Sequence, residues 1–204
     1  MTKINLEQQK LIPVNAQINK VTFDDNFAVN VVKNPEIELF DEATYAKLSD
    51  IQIKDGEINV KVYSQLLPDA PEFARGFIGV AFRIDESDSK FESFYVRPTN
   101  GKTNDPIRKK HAVQYFSYPD YKFDVLREKT PNIYEAPADI GLNEWIDLKI
   151  VIEEDKRSLY INQSANPVLV VDALKGGMAS GSIALWCDVG TDAYFKDLVI
   201  TDYD

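Results

Sequence analysis

The chain is predicted to be all-β, a two-sheet antiparallel β-sandwich, and three observations lead there. Residues 141–203 fall into blocks in which apolar and polar side chains alternate at period two, the pattern of a strand with one buried face. Turn-forming residues separate those blocks at short intervals, as antiparallel connections require. Hydrophobic residues make up 44% of the chain and aromatic residues 11%, enough to fill the space between two sheets.

Read in order, residues 1–14 are polar and lack periodicity, so a loosely held arm is expected. Val21 to Val32 suggests two short strands around the turn Asp24-Asp25-Asn26, and Asp41 to Leu48 suits a short helix or a loop. Ile51–Ile53 and the strand opening at Ile58 read as a hairpin, because Asp55-Gly56 supplies the positive φ that tight turns need. Pro68 and Pro71 open a loop, and Gly76–Ile84 and Phe91–Val96 are strong strands joined by a polar turn. After a polar loop over Asn100–Lys110, His111–Ser117 is another strand.

Pro119 to Ile140 shows little alternation, with one helical turn expected at Phe123–Glu128. A connection of that length is functional or disordered as a rule, and Tyr118, Tyr121 and Tyr134 argue for an ordered segment that packs on something. The final blocks, around Trp145, Tyr160, Trp186 and Phe195, read as strands separated by turns at residues 153–156, 163–166 and 190–192.

A length of 204 residues fits one domain over 1–204. The formal charge of −10 argues against nucleic acid and against an anionic membrane surface, since either partner needs a basic footprint. The one basic cluster, Arg108-Lys109-Lys110-His111, reads as a solvated loop entering a strand. The N-terminus has no apolar stretch of signal-peptide type, so a cytoplasmic chain is expected, or a secreted one if a leader has been removed. Cys187 is the sole cysteine and reads as a buried, inert thiol, which excludes an internal disulfide.

Alternation assigns the faces. Ile78, Val80, Phe82 and Ile84 are expected in the core, which turns Phe77, Gly79, Ala81 and Arg83 outward. Phe94 and Val96 inside leave Ser93, Tyr95 and Arg97 outside. Val113 and Tyr115 inside leave Gln114 and Phe116 outside, and Ile183, Leu185 and Cys187 inside leave Ala184, Trp186 and Asp188 outside. If these strands share a sheet, its outer face carries Arg83, Tyr95, Arg97, Gln114 and Trp186 among small residues. Guanidinium forks donate several coplanar hydrogen bonds and an indole stacks on the apolar face of a sugar. These five are therefore the candidate ligand-binding residues, although an ordinary polar sheet surface would look the same.

Catalytic candidates are Glu92 and His111. The single histidine has no nucleophile motif and no second histidine, so zinc is disfavoured, and a lone histidine is more often a structural hydrogen-bonder or surface group than a catalyst. Retaining glycoside hydrolysis needs two carboxyl groups about 5–5.5 Å apart, and no strand here supplies such a pair. Asp24-Asp25 and Asp188 with Asp192 could offer oxygens to a structural Ca²⁺, though as turn residues they need no ion. No other cofactor is expected.

Gly79-Val-Ala-Phe-Arg83, Phe91-Glu-Ser-Phe-Tyr-Val-Arg97, Gln114-Tyr-Phe-Ser-Tyr-Pro-Asp-Tyr121, Asn143-Glu-Trp145, Leu159-Tyr-Ile-Asn162 and Gly181-Ser-Ile-Ala-Leu-Trp186 together resemble a bacterial concanavalin A-like lectin/glucanase superfamily domain. Related groups include laminin-G-like domains, bacterial β-glucanases and 3-keto-disaccharide hydrolase-like domains. The resemblance covers roughly residues 51–201 and implies a jelly roll whose concave face meets carbohydrate. The Glu-x-Asp-x-x-Glu strand of the β-glucanases is missing, so it carries over no catalytic residue. The expected function is carbohydrate binding or processing. The alternatives are a glycoside hydrolase or lyase using Glu92 or His111, and a laminin-G-like protein-interaction module.

Overall fold

The computed structural model describes residues 1–174 and 179–203. Its elements are β1 (Thr2–Lys3), β2 (Ile12–Val14), β3 (Ala16–Phe23), β4 (Asn26–Lys33), β5 (Tyr45–Ile53), β6 (Gly56–Leu66), β7 (Ile78–Ile84) and β8 (Phe91–Val96). There follow α1 (Pro98–Gly101), α2 (Pro106–Lys109), β9 (Val113–Tyr118), α3 (Phe123–Lys129), β10 (Glu135–Ala136), β11 (Ile146–Glu153), β12 (Lys156–Ile161), β13 (Leu169–Asp172), β14 (Gly181–Cys187) and β15 (Thr191–Asp202). They form two antiparallel sheets, one ordered β13-β12-β11-β6-β15-β4-β3 with β1 also on β15, the other β10-β9-β8-β7-β14-β5-β2. The all-β sandwich is as the alternation predicts.

The alternating apolar sets meet between the sheets. Val60, Val62, Ile150 and Phe195 from the larger sheet pack against Val80, Phe94, Tyr115 and Leu185 from the smaller one. Cys187 lies in this layer, its Sγ 3.5 Å from the Val31 carbonyl, and burial pushes its thiol pKa far up, so it is inert. Asp24 and Asp25 both take positive φ, which makes the β3–β4 connection the expected tight hairpin.

Four local expectations are corrected. β5 and β6 do not form a hairpin: β5 pairs with β14 and β2, and β6 with β11 and β15, so Lys54-Asp55 carries the chain from one sheet to the other. The positive φ of Gly56 serves a close backbone approach instead, since a Cβ there would lie 2.2 Å from the Thr201 carbonyl oxygen. Tyr45–Leu48 is strand, because those residues add to β14 and are buried. The N-terminal arm is held on both sheets, through Thr2–Lys3 on β15 and Ile12–Val14 on β5, with Leu6 buried between.

The fourth correction concerns β7. Ser182 pairs with Ile84 but Ala184 pairs with Ala81, so Phe82 and Arg83 together face one residue of β14. This is a β-bulge, with Arg83 at a φ of 53°. The extra residue reverses the alternation, sending Ile84 to the outer layer and Arg83 toward the end of the interior. There Arg83 Nη1 lies 3.5 Å from Glu92 Oε1, and its Nε and Nη2 donate to the Lys54 carbonyl at 2.8 and 2.6 Å. Glu92 also accepts from Arg157 Nε at 2.7 Å and from the Tyr115 hydroxyl at 2.6 Å, all of it buried.

Candidate ligand cavity

β7, β8, β9 and β14 do share one sheet, and their outer face does carry Tyr95, Arg97, Gln114 and Trp186. It is not an open groove. The connection from Pro119 to Ile140 folds back over it, and Leu126 of α3 seals an apolar layer with Phe77, Ala81, Phe91, Phe116 and Trp186. Burying an aromatic face is strongly favourable, and this sequence has enough rings to cover both faces of one sheet.

Trp186 is fully buried, tilted against Tyr95 at 4.8 Å between centroids, and its Nε1 donates to the Glu42 carbonyl at 2.8 Å. It is therefore part of the packed layer and cannot stack on a sugar without unfolding its cover. The small residue Gly79 leaves no room for a ligand either: Tyr95 lies directly across, and a Cβ on Gly79 would come within 2.7 Å of it. Gln114 is sealed, donating to the Tyr115 and Tyr134 carbonyls. Arg83 and Glu92 lie elsewhere, in the ion cluster produced by the bulge, which removes Glu92 as an acid or base for any bound molecule.

What remains open is a cavity of about 400 Å³ where β8 and β14 end and β7 begins. That volume lies in the range of small-molecule sites, roughly 300–1,000 Å³. Its floor is polar and buried, formed by Tyr95, Arg97, Asp41 and Asp188. Phe40, Phe73, Phe77 and Phe123 supply an apolar wall, with Phe40 edge-on to Phe73 at 5.6 Å and to Phe123 at 5.9 Å. Phe73 is 51% exposed, so part of a ring faces solvent. Arg75, Arg108, His111 and Arg127 complete the lining.

Arg97 organises the floor. Its Nη2 donates to the Tyr95 hydroxyl at 2.6 Å and to Gln114 Oε1 at 3.1 Å, while Nη1 donates to Glu135 Oε1 at 3.0 Å and to the His111 carbonyl at 3.2 Å. Glu135 is shared with Arg127 and lies 2.9 Å from His111 Nδ1. Burial works to raise the Glu135 pKa, but its hydrogen bonds and the charges of Arg127 and Arg97 hold it below the usual range. Burial is also what lowers the His111 pKa, with Glu135 opposing, so its ring favours the neutral form.

Asp41 sits at a φ of 54° with its carboxyl buried on the floor. Its Oδ2 accepts from the Phe123 N–H at 2.7 Å, and its own N–H donates to Asp188 Oδ2 at 2.9 Å. Asp188 is neutralised by Lys33, 2.5 Å away. Burial, reinforced by the Asp188 charge, raises the Asp41 pKa to about 7 against the pull of the Phe123 N–H, Arg97 and Tyr95.

The aspartates considered for Ca²⁺ are otherwise engaged: Asp24 and Asp25 make the hairpin turn, and Asp192 accepts from Asn30, Gln65 and Tyr194. Among the described residues no group of three or more His, Cys, Asp or Glu is placed to hold a metal ion. Of the cavity residues, sequence reasoning missed Asp41, Arg75, Phe40, Phe73 and Arg127 as site residues, and Arg108, read as part of a solvated loop, lines the cavity. Asp188 had a signal in the outward register that continues from β14 to the residue just after it, and Asp41 had none beyond aspartate's tolerance of positive φ.

No protein-family model matches the chain and no curated protein is significantly similar in sequence. Solved structures do share its fold. The carbohydrate-binding module CBM66 from Bacillus subtilis superposes with a TM-score of 0.59 at 14% identity, covering 95% of this chain and 96% of that one. A protein of unknown function with a galectin-like fold, also from Bacillus subtilis, superposes at 0.55 with 9% identity over 97% and 90%. At such identities the likeness is one of architecture.

Proposed function

We propose that this protein binds carbohydrate in the cavity formed around Arg97. The observation that carries the reading is the pairing of a polar, hydrogen-bonded floor with a wall of phenylalanine rings in one cavity of sugar-binding size. Hydroxyls need polar groups held in place, and Arg97, Tyr95 and Asp41 form such a floor, while the C–H face of a sugar ring packs on an aromatic surface such as Phe73. The fold shared with a carbohydrate-binding module supports the same reading. A protein-interaction module would be better served by a flat apolar patch than by a recess.

A glycan array followed by thermal-shift titration of the full chain tests this. At least one sugar is expected to raise the melting temperature, with Phe73→Ala and Tyr95→Phe each weakening binding by about tenfold, or about 1.4 kcal/mol. Trp186→Phe is expected to lower stability but leave affinity unchanged, because the indole is sealed beneath α3. Absence of any sugar ligand across a broad array would refute the reading.

One observation favours a processing enzyme as a second reading. A carboxyl that titrates near neutrality on a cavity floor is suited to proton transfer. In that case aryl glycosides would be turned over by the native chain and not by Asp41→Asn, whereas a binding protein would leave them intact.

A further inference from the structure

Resting on the carbohydrate reading of this cavity, we infer that the bound sugar is an acidic one, whose carboxylate is held by Arg75 and Arg108. The chain as a whole carries a charge of −10, yet the lining of this one cavity reverses that sign, with four arginines against two aspartates. The aspartates do not balance it at the mouth. Both are buried on the floor, Asp188 against Lys33 and Asp41 among Tyr95, Arg97 and the Phe123 N–H. Arg97 and Arg127 are likewise matched by Glu135.

Arg75 and Arg108 differ. Among the described residues neither makes a salt bridge. Arg75 Nη1 donates to the carbonyls of Glu72 and Ala74 at 2.7 and 2.8 Å, and Arg108 donates to Asn100 Oδ1 at 3.2 Å and Thr99 Oγ1 at 3.3 Å. Each guanidinium is fixed by hydrogen bonds to neutral groups and half-buried, so among the described residues it is held in place with no carboxylate within salt-bridge distance. The two are close enough to act on one another: the Arg75 pKa is lowered by burial first and then by the Arg108 charge, with the Glu72 charge opposing and Arg97 adding to it. Like charges brought close on a half-buried wall repel unless an anion joins them, and a carboxylate accepts from guanidinium forks in a plane.

The placement also explains the basic cluster in the sequence. Asp105 caps α2 by accepting from the Ile107 and Arg108 N–H groups, which turns the Arg108 side chain to the cavity while Lys109 and Lys110 stay in solvent. With hydroxyls on the buried floor and a carboxylate at the half-buried arginines, the cavity fits a hexuronate or another sugar acid.

Calorimetric titration of the full chain with a methyl hexuronide, its neutral methyl hexoside, the corresponding hexose 6-phosphate and acetate tests the assignment. The uronide is expected to bind about 10–100-fold more tightly than the neutral sugar, the range a charge-assisted hydrogen bond supplies. That margin should shrink as salt rises. Arg75→Gln and Arg108→Gln should each abolish most of the preference, lowering uronide affinity far more than neutral-sugar affinity. Arg108→Lys, which keeps the charge without the fork, should recover part of it, and unchanged melting temperatures would show that the variants fold. Equal affinity for uronide and neutral sugar overturns the inference but leaves the carbohydrate reading standing. A phosphate ester or acetate held as tightly as the uronide also overturns it, and binding of no sugar at all removes both.

Discussion

Glu92→Gln is expected to destabilise the fold by about 3–5 kcal/mol, the cost of leaving a buried charge without its partner. For a chain of this size that lowers the melting temperature by roughly 6–20 °C. The glutamate accepts from Arg157 at 2.7 and 3.2 Å and from Tyr115 at 2.6 Å, with Arg83 at 3.5 Å, and both its oxygens are buried. An amide has one acceptor oxygen, and its NH₂ would point donors at guanidinium donors. Adding Arg157→Met should recover part of the loss, because removing both members of a buried pair costs less than removing one. Differential scanning calorimetry of the single and double variants measures this. A stable single variant with lost ligand binding would instead return Glu92 to a functional role.

The second large effect is a dependence of stability on pH. Asp41 binds its proton in the folded state up to about pH 7, against 3.8 for the ordinary side chain. Between those values the native state holds a proton that the unfolded chain has released, so stability falls as pH rises through the window and levels off above it. From pH 5 to 8 the loss from this group is on the order of 3 kcal/mol. Glu135 works the other way, but only below the ordinary glutamate range, where acid begins to protonate it. His111, with its lowered pKa, gives stability that rises with pH up to about 6.5 and partly masks Asp41. The difference between the native chain and Asp41→Asn isolates the effect: the native melting temperature should fall relative to the variant across pH 5–8. Parallel curves for the two proteins would contradict it.

The fold was legible because burial has a period, and period is written in the sequence. The inward sets on β8, β9 and β14 follow directly from alternation. The site was legible only where that register held. Tyr95 and Arg97 reach the cavity because β8 runs unbroken, whereas one added residue in β7 sends Arg83 to the opposite layer. Trp186 was assigned to the right face, yet period cannot tell whether a face is wet, and here the Pro119–Ile140 connection closes over it. Asp41, Arg75 and Phe73 lie on irregular connections, where spacing carries no information about direction. The crossing at Lys54-Asp55 misled for a related reason, since a tight turn specifies a reversal of the chain and not which sheet receives it.

The division of labour between strand and connection around Arg97 has an evolutionary corollary. Tyr95, Arg97 and Asp188 of its floor are borne on or beside strand ends, while Phe40, Asp41, Phe73, Arg75, Arg108 and Phe123 project from segments outside the two sheets. Such segments tolerate exchange far better than strands do. Descendants of this chain can therefore diverge in what they recognise while inheriting an untouched hydrophobic interior, and swapping those segments between relatives should transfer selectivity without a stability penalty of the size expected for Glu92.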